Sequence, residues 1–296
     1  MDEEKYKNLK LGERGAKLSI IVYILLSCFK LIVAYMTGSA ALKADGLNNV
    51  TDIIASIAVL IGLRISQRPP DIDHKYGHWK SEAIASLVAA FIMFAVGAEV
   101  LIGAFSSLVG ENTEPPNVVA GYVAIFAAII MFAVYYYNKK LAAKIKSKSL
   151  MAVAMDNRSD ALVSIGAAVG IFGSQFGLPW LDPVTAIIVG LIIVRTAWEI
   201  FRDTTHQLTD GFDQEKIDQY EETVQKIDGV KKIKEIKGRL YGNNVVVDIV
   251  ICVEGTLDIN QAHDLATLVE DTLMEKHSVY DVHVHMEPQT DEACDF

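Results

Sequence analysis

Two pairs of polar residues at helical i, i+4 spacing interrupt stretches of this chain that are otherwise apolar enough to cross a bilayer. The first pair is Asn48 and Asp52, within Ala44-Asp45-Gly46-Leu47-Asn48-Asn49-Val50-Thr51-Asp52. The second is Asp156 and Asp160, within Asp156-Asn157-Arg158-Ser159-Asp160. An ionised Asp near the bilayer centre costs roughly 2.5–3.5 kcal/mol on insertion scales, so three of them need a compensating partner. A hard metal cation is such a partner, because oxygen ligands hold it and its charge offsets their repulsion.

Six apolar stretches are readable, at 18–37, 40–65, 82–108, 117–137, 148–175 and 181–201. Each is long enough for a hydrocarbon core that needs about 20 helical residues. Lys and Arg sort the connections. Lys5, Lys7, Lys10, Arg14 and Lys17 precede the first span. Arg64, Arg68, Lys75 and Lys80 follow the second, and Lys139, Lys140, Lys144, Lys146 and Lys148 follow the fourth. The connections at 36–40, 108–117 and 174–181 hold neither residue. The positive-inside rule then predicts six spans in the cell membrane with both termini cytoplasmic. Lys43, near the outer end of span two, is the awkward basic residue and is expected to snorkel.

Beyond about residue 210 the pattern changes. Residues 211–296 carry 19 acidic against 8 basic side chains, which argues against a nucleic-acid partner. Ile217, Tyr220, Val224 and Ile227 recur at helical spacing. Strands are expected at 230–241 and 245–253 around a Gly242-Asn243-Asn244 turn, then a helix over 260–277 and a strand at 280–287. The fold class read from this order is an α-helical membrane protein with a C-terminal cytoplasmic α+β domain (αββαβ, ferredoxin-like). The expected domains are a six-helix transmembrane domain, 1–209, and a cytoplasmic metal-sensing and dimerisation domain, 210–296.

Residues 48 and 52 share one helix face, as do 156 and 160. At 1.5 Å per residue, Asn48 and Asp52 lie about 12 and 18 Å below the outer surface, and Asp156 and Asp160 about 12 and 18 Å from the inner one. In a core of about 30 Å, Asn48 falls level with Asp160, and Asp52 with Asp156. Asp45 and Asn49 lie near the same set and are expected to support it. The plain alternative is that these polar groups are helix–helix hydrogen bonds; two spaced pairs at matched depth favour a cation site.

This combination resembles the cation diffusion facilitator family over nearly the whole chain. Shared wording includes Ala44-Asp45-Gly46, Asp52-Ile53-Ile54-Ala55-Ser56 and His74-Lys75-Tyr76-Gly77-His78. The resemblance implies a homodimeric exporter of divalent metal driven by proton exchange, with Asn48, Asp52, Asp156 and Asp160 as the transport site. It implies no enzymatic activity and no cofactor; the metal is cargo. Zinc-moving relatives carry His in at least one of these turns, whereas this set offers an amide and three carboxylates. All-oxygen ligation suits manganese better than zinc or copper, and the pattern is most similar to the manganese-exporting branch. Three carboxylates around a dication leave a net charge near −1. Release leaves −3 in a low-dielectric setting, which favours uptake of protons as counter-cargo.

Two further metal sites are implied by the resemblance. One is Asp71, His74 and His78 in the loop after span two, where the two His are expected to share a helical turn. The other is His263, His285 and Glu287 in the tail. Two further family His positions correspond to Lys234 and Val250 here, which departs from the family's binuclear set, and Asp248 or Asp281 are alternative ligands. Rival readings keep the antiporter but move iron, cobalt, zinc or cadmium, or replace it with a passive divalent cation channel or an intramembrane hydrolase. The absence of an HExxH pattern and the single-helix spacing of the Asp pairs weigh against the hydrolase.

Overall fold

Six long helices, followed by a small αββαβ arrangement, make up the described chain. The structure, a computed structural model, describes residues 2–66, 68–109, 115–145, 148–241 and 244–289. Gly242 and Asn243 of the expected turn lie outside them, as do Lys146 and residues 290–296. The helices are α1 (Asp2–Thr37), α2 (Ala40–Ser66), α3 (Ser81–Val109), α4 (Val119–Ile145), α5 (Lys148–Gln175) and α6 (Leu181–Leu208). Among the described residues, five of these are long and apolar enough to cross a membrane. The other, α5, matches them in length but carries Asp156, Arg158 and Asp160. Helices α4 and α6 run well past the ends expected from hydropathy, 137 and 201. A helix satisfies its own backbone in water as well as in lipid, so loss of apolarity alone does not end it.

The chain divides into two compact units, residues 1–58 with 88–200 and residues 59–87 with 201–296. In the first, the helix contacts are made largely by alanine. Ala34, Ala41, Ala120, Ala124, Ala167 and Ala168 surround Leu42, Val123 and Ile171. On the other side of α2, Ala44 packs with Val100, Ala104, Ala186, Val189 and Ile193. Small residues let helix backbones approach where lipid supplies no hydrophobic drive to associate. Gly46 has the same effect between α2 and α1: a Cβ there would sit 3.0 Å from Leu31 side-chain carbons and 3.3 Å from Lys30 Cβ. Asp182, buried in the first turn of α6, accepts from Ser39 Oγ (2.7 Å) and from the backbone N–H of Ala40 (2.7 Å) and Ala41 (3.4 Å). It thereby satisfies N–H groups that the start of α2 leaves unpaired.

In the second unit, α7 (Gln214–Val224), β1 (Lys232–Tyr241), β2 (Asn244–Val253), α8 (Ile259–His277) and β3 (Asp281–Pro288) form a three-stranded sheet with two helices. The order is β1-β2-β3, antiparallel then parallel. A parallel pair needs a crossover, and α8 provides it. Central β2 reads Val245-Val246-Val247-Asp248-Ile249-Val250-Ile251, and Val247, Ile249 and Ile251 enter the core with Ile217, Tyr220, Val224, Val269 and Leu273. Asp258 and Gln261 close a reciprocal capping box at the start of α8, and Ser278 ends it in the left-handed region at φ 55.

Candidate functional site

Helices α1, α2 and α5 carry the polar residues that meet at the candidate site. Asn48 Nδ2 donates to Asp160 Oδ1 at 3.0 Å and to Asp52 Oδ2 at 3.4 Å. Asn48 and Asp160 are buried, and Asp52 is partly so. The structure thus brings Asn48, Asp52 and Asp160 together across the α2–α5 seam. Asp156 stands apart: it is exposed, and its influence on Asp52 and Asp160 is through charge. To ligate a cation through oxygen, the Asn48 amide has to turn, since it presents its nitrogen to both carboxylates.

Asp45 and Asn49 tie α2 to α1 through Lys30. The ammonium of Lys30, wholly buried, donates to Asp45 Oδ1 (2.9 Å), Asn49 Oδ1 (2.7 Å) and Ser164 Oγ (2.9 Å). Its three hydrogens are therefore all used. Ser164 in turn donates to Asp45 Oδ1 at 3.1 Å. The buried Asp45 Oδ2 and Asn49 Nδ2 have no hydrogen-bond partner. Lys30 did not figure in the sequence reading, although a Lys in the middle of an apolar span signals a buried counter-charge. Tyr23 and Asn157 were missed as well. The Tyr23 hydroxyl donates to Asp160 Oδ2 and accepts from Asn157 Nδ2 at 3.0 Å. Lys43 reaches an exposed pairing with Glu99, 3.0 Å away on α3.

In the second unit, Asp71, His74 and His78 offer one ligand atom each within 4.8 Å of one another, the one such group among the described residues. No helical turn carries the two His; residues 69–80 are irregular. Asp71 Oδ1 accepts from the backbone N–H of Asp73 (3.0 Å) and His74 (2.7 Å), and Gly77, at φ 80, closes the turn back onto His74 O. The His rings lie 4.3 Å apart between centroids. His74 Nδ1 is 3.1 Å from Asp71 Oδ1, and His78 Nε2 is 3.4 Å from Asp71 Oδ2. The loop rests on the sheet through Tyr76 and Trp79 against Tyr241, and Trp79 against Tyr280.

The N–H of His74 is the main cause that holds the exposed Asp71 carboxyl below its ordinary value. A depressed folded pKa contributes stability above the unfolded value, lost as pH falls through the folded one. The expected result is that protection of the Asp73 and His74 amides is constant from neutral pH to about pH 4.5 and is lost below about pH 3.9. Hydrogen exchange corrected for intrinsic rates measures this; protection lost near neutral pH would show that Asp71 does not hold the turn.

The tail residues are not gathered in the same way. His263, on α8, and His285, on β3, are exposed, and Glu287 is bound by Lys234 Nζ at 2.7 Å. They form no three-ligand group within one chain among the described residues. The Glu287 carboxylate is already paired with the Lys234 ammonium. The neighbouring His283 instead meets Asp248 (3.1 Å) and Asp281 (3.6 Å), and Arg239 is 3.2 Å from Asp248.

With this geometry in hand, comparison with known proteins gives two family matches. Residues 16–209 match the cation efflux transmembrane domain, and residues 212–289 the cation efflux protein cytoplasmic domain. The Bacillus subtilis transporter YdbO is 53% identical over 96% of this chain and 98% of its own. The manganese efflux system protein MneS of the same organism is 52% identical over the same shares. Its manganese efflux system protein MneP is 30% identical, again over 96% and 98%.

Proposed function

Because the chain belongs to the cation efflux family, a family of membrane transporters rather than enzymes, we propose that it exports manganese(II) from the cytoplasm in exchange for protons. The observation that carries this reading is the convergence of Asn48, Asp52 and Asp160 between α2 and α5. Neither α2 (Ala40–Ser66) nor α5 (Lys148–Gln175) contains a His, so neither offers imidazole. An amide with carboxylates is a hard donor set, suited to manganese over zinc. The 52% identity to MneS supports the same cargo. Asp156, exposed one turn away, completes the set as the group a cation meets on entry from the cytoplasm.

On this reading, both termini lie in the cytoplasm. Residues 1–209 carry transport, and residues 210–296 pair two copies as a homodimer and respond to cytoplasmic metal. Exchange follows from charge. A dication offsets most of the charge on three carboxylates, and its departure to the outside is balanced by protons that arrive from that side. No group in the site has to react covalently.

The test is uptake into inside-out vesicles with an imposed pH gradient, across manganese, zinc, iron, cobalt and cadmium. Manganese is expected to lead and to need the gradient. Gradient-independent flux at channel rates would replace antiport by a passive pathway. Asn48→His, which adds a nitrogen ligand, is expected to raise zinc uptake relative to manganese by about tenfold or more. An unchanged cargo order in that variant would count against Asn48 as a ligand.

A further inference from the structure

Helix α1 supplies none of the four proposed ligands, yet its buried face runs beside them. Ser19, Tyr23, Ser27 and Lys30 are all buried on it. Tyr23 is the member that touches a ligand, and its hydrogen-bond direction is set by what lies behind it. Asn138 Nδ2 donates to Asn157 Oδ1 (3.1 Å) and to Ser19 Oγ (2.8 Å), and Ser19 Oγ donates to Asn157 Oδ1 (2.9 Å). The Asn157 oxygen is thus an acceptor twice over, which leaves its nitrogen toward Tyr23. A phenol has one hydrogen. With its oxygen accepting from Asn157, Tyr23 directs that hydrogen to Asp160 Oδ2.

Both oxygens of Asp160 are therefore assigned. Oδ1 faces Asn48 on α2, the side from which the other proposed ligands come, and Oδ2 faces α1. A carboxylate whose second oxygen is held by a hydrogen bond is biased toward meeting a cation through one oxygen, whereas a free one can also close on it with two. The difference matters for cation choice. Bidentate carboxylates suit large ions that accept six to eight oxygens, such as calcium, while smaller octahedral ions accommodate the narrow bite poorly.

We propose that Tyr23 is a positioning residue that reserves Asp160 Oδ2, presents Oδ1 alone to the cargo, and so biases the site toward manganese against larger dications. The inference rests on the transport reading above.

The experiment uses the full chain in proteoliposomes and compares KM for manganese and calcium in the parent, Tyr23→Phe and Ser19→Ala. Tyr23→Phe removes a single oxygen and is expected to raise the manganese KM and shift the manganese-to-calcium preference by about tenfold toward calcium. Ser19→Ala leaves Asn138 to hold Asn157 and is expected to keep the parental ratio. A parental ratio in Tyr23→Phe overturns the proposal, and so does an equal shift in Ser19→Ala, which would mean general loosening of α1. Should Tyr23→Phe not fold, Tyr23→Met likewise removes the hydroxyl that occupies Asp160 Oδ2. The same shift is then expected, and an unchanged ratio overturns the proposal. If the parent moves no divalent cation, the transport reading falls; if it transports and the variants match it, Tyr23 alone is wrongly assigned.

Discussion

Replacing Asp160 with alanine is expected to reduce cation transport on the order of 100-fold or more, a larger loss than removal of a supporting residue gives. The residue is where the polar chemistry of three helices meets. It accepts from Asn48 on α2 and from Tyr23 on α1, and it stands on α5. Its loss takes one of three negative charges from the proposed site, leaves the buried Tyr23 hydroxyl without its acceptor, at about 1–3 kcal/mol, and leaves Asn48 with Asp52 alone at 3.4 Å. The variant therefore has to be shown folded by size exclusion in detergent before its transport is read. Asp160→Asn separates the two effects, since an amide keeps an acceptor for Tyr23 while it removes the charge. Both variants are expected to be inactive, with Asp160→Asn the more stable. Near-parental manganese uptake by folded Asp160→Asn would mean that the charge at this position is dispensable, and the site would have to be sought elsewhere.

Much of this arrangement was legible because the physics behind it is local. Apolar stretches of about 20 residues mark spans, and i, i+4 spacing puts Asn48 and Asp52 on one face whatever surrounds them. Counting 1.5 Å per residue from each surface placed Asn48 level with Asp160, and these two are hydrogen-bonded in the structure. The same count paired Asp52 with Asp156, which no hydrogen bond joins among the described residues; two carboxylates attract only through a shared proton or cation. What depth counting cannot reveal is which face of a third helix turns inward. Tyr23 looks like any aromatic residue in an apolar run, and Asn157 like a spacer between two Asp. Their significance depends on the rotation of α1 against α4 and α5, fixed by Ala127, Met131 and Ala161 packing on Tyr23 and Leu26. The loop cluster shows the converse. The Asp71-x-x-His74-x-x-x-His78 spacing was visible, but the expected helical turn was not formed, because Gly77 takes a positive φ. In the tail, Lys234 pairs with Glu287, a contact between β1 and β3 that the sequence pattern of single strands does not show.

Lys30→Met is expected to be among the most destabilising single changes in the membrane unit. Breaking a buried ion pair by removal of one partner costs about 3–5 kcal/mol, because the other charge stays buried without compensation. Here the remaining group is Asp45, which is fully buried and whose second oxygen is already unpaired. Asn49 and Ser164 lose a donor in the same step. The damage also has a route to the site. Asn49 adjoins Asn48, and Asp45 is one helical turn before it, so a strained Asp45 acts directly on the α2 turn that presents the amide. A double variant, Lys30→Met with Asp45→Leu, removes both charges and is expected to recover most of the loss, since an apolar pair of similar volume is often neutral in place of a buried ion pair. Thermal unfolding of the single and double variants in detergent measures this coupling. A Lys30→Met protein as stable as the parent would mean that Asp45 does not need the ammonium. A double variant that is stable but inactive would assign the pair a part in transport beyond tying α1, α2 and α5 together.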